Sequence, residues 1–403
     1  MERYDLPDGW EWLKLPEVAD LIMGQSPPGS TYNKDGNGLP FYQGKADFGY
    51  PFPIPRVYCT KPKKVAQPGD ILMSVRAPVG PTNLVNNECA IGRGLSIIRP
   101  KEGMPANYLR AYFTLIEQLI AELGTGSTFT SISRSDLENL DVPVSPIPER
   151  QRIVAKIESL FEQSRTARTA LTRVPVLMSQ FRRAVLTSAT SGRLMEEWRE
   201  MHPDAPKHRS VSLREVATEF RYGTSAKSQK TGEVPVLRMG NIQDRKLDWD
   251  DLVFTSDKSE IEKYKLVSGD VLFNRTNSPE LVGKTAIYKG ERPAIYAGYL
   301  IKVKCSDALL PDYLNYCINS PAGRDWASQV KSDGVSQSNI NAQKLANFEF
   351  DLPPIEEQTE IVQRVEKMFA QADIINQAAS ASLRRAEQAD QSILARSFRG
   401  ELG

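Results

Sequence analysis

Residues 146–161, PIPERQRIVAKIESLF, return 208 positions later as residues 354–369, PIEEQTEIVQRVEKMF. The same offset relates AVLTSATSGRL at 184–194 to SILARSFRGEL at 392–402. A register kept between two such blocks indicates uninterrupted elements, because loops accumulate insertions and deletions. We therefore predict one long helix in each half of the chain.

Upstream of each predicted helix the likeness continues, but its offset drifts. Pro-Gly-Asp-Ile-Leu at 68–72 matches Ser-Gly-Asp-Val-Leu at 268–272, an offset of 200, and Tyr108 matches Tyr313, an offset of 205. Drifting offsets are typical of domains whose loops differ in length. The chain is predicted to contain two diverged copies of one unit, each a variable globular domain followed by a constant helix.

The two helical segments carry a stripe of residues at alternating steps of four and three, the spacing of a coiled coil. The first stripe consists of Ile153, Ile157, Leu160, Ser164, Ala167, Leu171, Val174, Met178, Phe181 and Val185. The second, with smaller side chains, consists of Ile361, Val365, Met368, Ala372, Ile375, Ala379, Ser382, Ala386, Ala389 and Ile393. Prolines mark both helix starts, and Pro175 is expected to kink the first helix or break it into two stacked pieces.

Charge is balanced over the chain but not between the helices. The 403 residues include 51 Lys and Arg against 50 Asp and Glu, so any surface for nucleic acid must be a local patch. The first helix carries nine basic and three acidic residues, and the second carries six basic and eight acidic. Opposite net charges favour pairing of the two helices, although solvated faces would explain the individual charges equally well.

These observations predict an α+β chain of five segments. They are a globular domain at 1–145, a helical spacer at 146–195, a polar linker at 196–210, a second globular domain at 211–352 and a second helical spacer at 353–403. Short β-branched runs such as DILMSV and DVLFN predict strands. Each domain also contains one helical stretch, within 106–123 in the first and 311–330 in the second.

The sequence contains no recognisable catalytic motif. Gly283-Lys284-Thr285 matches the end of a phosphate-binding loop motif, but Ser278 stands where that motif requires a glycine. Both histidines, His202 and His208, lie in the predicted linker without ligand spacing, and the four cysteines are widely separated. No segment has the length and apolarity of a membrane span. We expect a soluble, cytoplasmic chain with reduced thiols and no bound metal.

Two variable domains alternating with two near-identical helices, the PIEEQ helix start at 354–358 and the SILARSFRGEL ending resemble the specificity subunit of Type I restriction-modification systems. The resemblance covers essentially the whole chain. It implies two target-recognition domains, each reading one half of a bipartite, asymmetric site on double-stranded DNA, and two long antiparallel coiled-coil helices related by a pseudo-twofold axis. It also implies a chain that is non-catalytic, has no membrane partner and holds no cofactor. A coiled-coil scaffold with two binding domains not directed at DNA is the alternative.

The same resemblance implies partners. Two modification subunits would dock on the helices, carry S-adenosylmethionine and methylate adenine, and the helices would set the spacer between the half-sites. Motor-nuclease subunits, where present, would use ATP and Mg²⁺. One departure is Arg150, which stands where the second helix start has Gln358. Arg150, Phe161, Phe369 and Phe398 are therefore candidates for partner contact, the phenylalanines being equally suited to packing the helical junctions.

Residues that read bases should be polar, should lie on loops and should differ between the two copies. The candidates in the first domain are Gln25, Ser26, Thr31, Tyr32, Ser74, Arg76, Ser127 and Thr128, with Lys61, Lys63 and Lys64 as a basic cluster for phosphate. The candidates in the second domain are Arg238, Asn241, Asn274, Arg275, Asn277, Ser336, Gln337 and Ser338.

Arg76 and Arg275 are the preferred single candidates, because each closely follows a Gly-Asp-Ile/Val-Leu strand from which a guanidinium could reach guanine or phosphate. An arginine after a strand can equally be a salt-bridged surface residue, and the lysine cluster can be a solvated loop. Asp70 and Asp270 in those strands are expected to form turns and to have no functional role.

Overall fold

The computed structural model describes residues 4–124, 131–335 and 337–402. The chain forms two compact units: Met1–Thr172 with Ser380–Gly403, and Arg173–Ala379. The two long helices are Ile147–Thr190 and Ile355–Ser397. Each unit therefore combines one globular domain with part of both long helices.

The first domain is built around a four-stranded antiparallel sheet. In spatial order its strands are Ala19–Met23, Leu95–Pro100, Ile71–Ser74 and Thr82–Leu84. The strand that starts at Ile71 is buried on both faces, because Ile71 and Met73 enter one hydrophobic cluster and Leu72 enters another. This is the two-residue alternation that a strand between two packed layers requires.

Smaller elements complete the first domain. A five-stranded sheet consists, in order, of Tyr32–Asn33, Tyr58–Cys59, Leu39–Tyr42, Cys89–Ile91 and Val65–Ala66. A two-stranded ladder pairs Glu11–Lys14 with Asp141–Val144. The helices are Leu15–Val18, Ala106–Leu115, Glu117–Glu122 and Arg134–Glu138.

The second domain repeats the four-stranded sheet with the same topology. Its strands, in the matching order, are Ala217–Tyr222, Leu300–Cys305, Val271–Asn274 and Thr285–Ile287. Val271 and Phe273 enter one cluster and Leu272 enters another, as in the first domain. The internal repeat and the α+β class are thereby confirmed.

The other elements of the second domain are short. Its remaining strands are Arg209–Ser212, Val234–Leu237, Ile242–Gln243, Lys246–Leu247, Val253–Thr255, Thr276–Asn277, Ile295–Tyr296, Ser332–Asp333, Ser338–Asn339 and Glu349–Leu352. Its helices are Leu213–Val216, Lys258–Tyr264, Pro311–Asn319, Pro321–Val330 and Ala342–Ala346.

The single helical stretch predicted in each domain is in fact two helices. In the second domain the break falls at Ser320, which precedes Pro321 and whose hydroxyl accepts a hydrogen bond from the Gly323 N–H. A residue before proline is disfavoured in helical geometry, and a serine there caps the next helix. Pro175, in contrast, lies inside one continuous helix, so the expectation that it divides the first long helix is wrong.

Within the first unit the two long helices run antiparallel, with Ile153 and Ile157 in the same cluster as Leu394 and with Arg168 bonded to Asp390. The predicted stripe is out of register at this point. Ala167 and Ala389 are exposed, and the half-buried positions belong to the next residues, Arg168 and Asp390, whose side chains form a 3.0 Å ion pair.

The second unit shows the same antiparallel arrangement and the same slip. Val185 and Ala189 share a cluster with Ile361 and Val365. Phe181 is 40% exposed, whereas the neighbouring Arg182 is half-buried and forms an ion pair with Asp373. Ile375 is likewise exposed and Asn376 half-buried. An α-helix with 3.6 residues per turn drifts from a strict 3.5-residue repeat, which places these polar residues at the helix contact.

The predicted linker contains ordered structure. Residues Glu196–Met201 form a helix, and the Glu357 carboxylate accepts a 2.7 Å hydrogen bond from Arg199 Nη2 and lies 3.0 Å from His208 Nε2. The Glu357 side chain is 1% exposed. The linker is therefore attached to the start of the second long helix by a buried carboxylate.

Candidate nucleic-acid interface

Four segments of the first domain meet around a cleft of about 180 Å³. They contribute Ser26, Gln43, Gly44, Lys45, Ser74, Arg76, Ala77, Arg93 and Gly94. The lining thus includes three cations, at 45, 76 and 93, and its described residues include no acid. Such a lining is suited to an anionic or hydrogen-bond-accepting ligand.

Glycines allow these segments to approach so closely. A Cβ at Gly94 would lie 2.1 Å from the carbonyl oxygen of Gln43, and one at Gly24 would lie 2.2 Å from that of Gly92. The Ser26 hydroxyl accepts a 3.2 Å hydrogen bond from the Arg93 backbone N–H, which joins the first segment to the fourth. The Arg93 side chain is left exposed at the mouth.

The second domain has a larger cleft, of about 320 Å³. It is lined by Arg238, Met239, Gly240, Ile242, Gln243, Asp251, Asn277, Leu281 and Lys284. Arg238 Nη2 donates to the Asp251 carbonyl at 2.7 Å and lies 3.2 Å from its carboxylate. The charge of Arg238 is thus partly balanced, and Lys284 adds a second cation.

The two clefts open at the same place in the repeat. Gln43 follows the strand Leu39–Tyr42, and Arg238 follows the strand Val234–Leu237. Each is the first residue of a tight turn. In the first domain the Asp47 carboxylate accepts a 2.7 Å hydrogen bond from the Gln43 N–H, and in the second Asn241 Oδ1 accepts a 2.9 Å hydrogen bond from the Arg238 N–H. The polar residues beyond the turns differ between the copies.

Several predicted contact residues line these clefts. They are Ser26, Ser74 and Arg76 in the first cleft and Arg238 and Asn277 in the second. Sequence reasoning missed Gln43, Lys45, Arg93, Gln243 and Lys284. Arg93 carried a usable signal, because it stands between Gly92 and Gly94 just before a buried strand, where a turn presents its side chain.

Five predicted contact residues have buried side chains, and of these only Ser74 lines a cleft. They are Thr31, Ser74, Asn241, Asn274 and Ser338. The Ser74 hydroxyl donates to the Arg76 carbonyl, and Asn241 Nδ2 donates to the carbonyls of two loop residues. These polar side chains hold the turns that shape the clefts, a role that short polar residues also play.

The remaining candidates lie elsewhere. Arg275 stacks on Tyr222, 4.8 Å from the ring centroid, and donates to the Gly298 carbonyl at 3.3 Å, so it is engaged within the domain. The Tyr32 hydroxyl donates to the Pro27 carbonyl. Exposed side chains outside both clefts are Gln25, Lys61, Lys63, Lys64 and Gln337. Ser127, Thr128 and Ser336 lie outside the described residues.

Asp70 and Asp270 are turn formers, as predicted. Each carboxylate accepts a hydrogen bond from the backbone N–H three residues earlier, at 2.7 Å from Gln67 and 2.8 Å from Val267. Asp70 is also paired with Arg99 at 2.7 Å. Burial raises the pKa of Asp270 above its ordinary value, although the Val267 N–H and Lys302 oppose that shift.

Three of the four candidates for partner contact are buried within the chain, and Phe369 and Phe398 pack at helical junctions, which was the alternative role given to the phenylalanines. Contact of these residues with a partner stays a prediction. Arg150 is 7% exposed and bonds to two backbone carbonyls. Phe398 is fully buried against Tyr108, and Phe369 packs edge-on against Tyr316. Phe161 alone faces open space, on a groove of about 1020 Å³ in the first unit.

Two further observations limit the chemistry. Among the described residues no group of three or more His, Cys, Asp or Glu side chains could hold a metal ion. No described helix is both long enough and apolar enough to cross a membrane.

Two copies of an α+β domain, each with a polar loop cleft and each joined to a long helix, define a duplicated recognition protein. The profile of the Type I restriction modification DNA specificity domain matches residues 7–174 and 209–384. The chain therefore belongs to this family, and as a specificity subunit it is non-catalytic.

A named relative agrees with this assignment, and two solved structures share the fold. The chain is 29% identical to the Type I restriction enzyme EcoKI specificity subunit of Escherichia coli, over 100% of this chain and 91% of the relative. A structure described as showing complex assembly and conformational transition of the type I R-M system superposes with a TM-score of 0.78 at 21% identity, covering 99% and 100% of the two chains. The crystal structure of the HsdS subunit from Thermoanaerobacter tengcongensis superposes with a TM-score of 0.63 at 22% identity, covering 99% of this chain and 98% of that one.

Proposed function

We propose that each globular domain reads one half of a bipartite, asymmetric site on double-stranded DNA through its cleft. The observation that carries this proposal is the placement of the two clefts after equivalent strands, with different polar side chains in each. Recognition of an asymmetric site needs this combination, since a common scaffold presents two unlike sets of hydrogen-bonding groups.

The residues divide between backbone and base contacts. Lys45, Arg76 and Arg93 line the first cleft without acidic neighbours in the described lining, which suits phosphate or guanine. The exposed lysines at 61, 63 and 64, which lie outside the cleft, offer further phosphate contacts. In the second cleft Gln243 and Asn277 offer amide groups that suit adenine, and Lys284 offers a cation.

We also propose that the long helices dock two modification subunits, which carry S-adenosylmethionine and methylate adenine, and that motor-nuclease subunits using ATP and Mg²⁺ join through them. Large apolar side chains exposed on the helices support this proposal. In the second unit they are Val176, Leu177, Phe181, Ile374 and Ile375. Several large apolar side chains exposed on the helices favour contact with a partner protein.

Sequencing of methylated DNA from a host that expresses this chain with its modification partner tests the proposal. The expected result is methylation of adenine in two short sequences at a fixed separation. Methylation in one continuous sequence, or none beyond that of the partner alone, would contradict it. A salt-dependent gel shift with the same complex separates a DNA reader from a scaffold that does not bind DNA, because phosphate contacts weaken steeply with salt.

A further inference from the structure

A hairpin in the second domain holds an arginine in a backbone conformation that favours glycine. Strands Ile242–Gln243 and Lys246–Leu247 pair across a two-residue loop, Asp244 and Arg245, with φ of 45° and 68°. Loops with two positive φ angles normally contain Asn-Gly, because a Cβ is disfavoured there. A non-glycine residue keeps such a conformation when its surroundings fix it.

Arg245 is fixed from two sides. Its carbonyl accepts a 3.2 Å hydrogen bond from Nδ2 of Asn315, a buried residue of the domain helix Pro311–Asn319. Its guanidinium lies 4.5 Å from the ring centroid of Phe369 on the second long helix. One residue thus connects the domain and the long helix to which the domain is attached.

The contact is desolvated. Burial lowers the pKa of the Arg245 guanidinium, and the neighbouring Arg182 acts in the same direction, whereas Asp244 and Glu366 oppose it. A cation over an aromatic face is attracted more strongly when water is excluded. Phe369 is itself 8% exposed, so its ring is shielded from water at this contact.

The first domain has a similar contact at the same distance along the chain from its turn. Tyr50 lies seven residues after Gln43, as Arg245 lies seven residues after Arg238. The Arg165 guanidinium, on the first long helix, lies 4.6 Å from the centroid of the Tyr50 ring. In both units a cation–aromatic contact joins this part of the domain to a long helix. The cation is on the domain in one unit and on the helix in the other.

We propose that Arg245 and Tyr50 are positioning residues that fix the angle between each recognition domain and its long helices, and so fix the spacer that the protein accepts between half-sites. The proposal rests on the proposed function. In the second unit another attachment comes from Tyr316, whose hydroxyl donates to Glu366 at 2.7 Å. Two separate attachments prevent a rotation that one would allow.

The variant Arg245→Gly separates positioning from folding. Glycine relieves the positive φ, so this variant should unfold at a temperature no lower than the wild type. It removes the contact with Phe369, so spacer selection should relax. Arg292→Ala is the matched control, because Arg292 stacks on Trp249 at 4.7 Å within the same domain.

The assay uses the chain in complex with its modification partner and a DNA library with constant half-sites and spacers changed by single base pairs. For Arg245→Gly the ratio of methylation at the native spacer to that at shifted spacers should fall about fivefold, the factor that about 1 kcal/mol of contact energy gives. Arg292→Ala should keep the wild-type ratio. Tyr50→Ala should relax the ratio and Tyr50→Phe, which keeps the ring, should preserve it.

Wild-type spacer selection by Arg245→Gly would overturn the inference, as would an equal loss in Arg292→Ala. These outcomes are distinct from failure of the proposed function, in which the wild-type complex itself would not methylate a bipartite site.

Discussion

Arg150 and Gln358, at equivalent positions in the two helix starts, donate hydrogen bonds to equivalent backbone carbonyls. The acceptors are the carbonyls of Gly103 and Ser145 for Arg150, and those of Ala308 and Pro353 for Gln358. An arginine replaces a glutamine here because both can donate two hydrogen bonds to carbonyl oxygens.

The difference between the two residues is explained by the N-cap residue of a neighbouring helix, which differs between the two repeats. Gln358 Oε1 accepts a 2.8 Å hydrogen bond from the Leu310 N–H, and Leu310 is the N-cap residue of Pro311–Asn319. The N-cap residue of the equivalent helix is Pro105, which has no N–H. No acceptor is needed in the first repeat, so a side chain with donors alone suffices.

Exchange of the two residues should therefore be asymmetric. Gln358→Arg leaves the Leu310 N–H without its acceptor and should lower the free energy of unfolding by about 3 kcal/mol, whereas Arg150→Gln keeps both donors and should cost about 1 kcal/mol. Urea denaturation of both variants measures the difference. Equal losses would show that the Leu310 hydrogen bond does not determine the choice.

Asp270 should make stability depend on pH. Burial raises the pKa of Asp270 in the folded state above the unfolded value of about 3.9. The stabilisation of the folded state that comes from this shift is therefore fully present below the unfolded pKa and is lost as pH rises through the folded pKa. Asp270→Asn removes this titration, so the variant should gain stability relative to the wild type between pH 4 and neutrality, within about 1 kcal/mol. Melting temperatures across this range test the sign, and a difference that shrinks as pH rises would refute it.

Arg93 should contribute to DNA affinity and to its salt dependence. Arg93→Ala in the complex with the modification partner should weaken binding about tenfold and, if the contact is to phosphate, lower the slope of log affinity against log salt by about one. Arg134→Ala is the control, since Arg134 is an exposed arginine of the same domain paired with Glu138. Titrations at several salt concentrations supply both values. Equal effects of the two variants would exclude a role for the cleft.

The long helices should act as a ruler. Four residues inserted after Ala167, with four more after Asp390, keep Arg168 opposite Asp390 and lengthen each helix by about 6 Å. DNA rises about 3.4 Å per base pair, so the preferred spacer should increase by one or two base pairs while the half-sites stay the same. Methylation of a spacer library measures this shift. Full activity at the original spacer alone would contradict it.

The long helices and the repeat could be predicted because they depend on local periodicity and on offsets along the chain. Their contact register could not, since Arg168 and Arg182 are placed by acidic partners more than 190 residues away. For Phe398 the sequence left two roles open, partner contact and packing of a helical junction, and only the structure shows that it packs on Tyr108 of the first domain.

The candidate interface was predictable only in part. Ser26, Arg76 and Arg238 follow recognisable strands or turns, whereas Gln43 and Lys45 reach the first cleft only because four separate segments of the chain meet there. Asn274 was selected for its position at the end of a strand. That strand lies in the centre of its sheet, and the Asn274 side chain is fully buried. Burial on both faces of a sheet is a property of the assembled layers, which one strand's sequence does not specify.

The account's central claim is that the two clefts read separate half-sites, and methylated-DNA sequencing of paired cleft variants tests it most directly. One variant combines Gln43→Ala with Arg93→Ala in the first cleft, and the other combines Gln243→Ala with Lys284→Ala in the second. Each is expressed with the modification partner beside the wild-type chain. We expect each variant to relax or change one half of the methylated sequence, a different half in each case, with the other half and the spacer retained. Changes in both halves from either variant, or wild-type methylation from both, would contradict the claim.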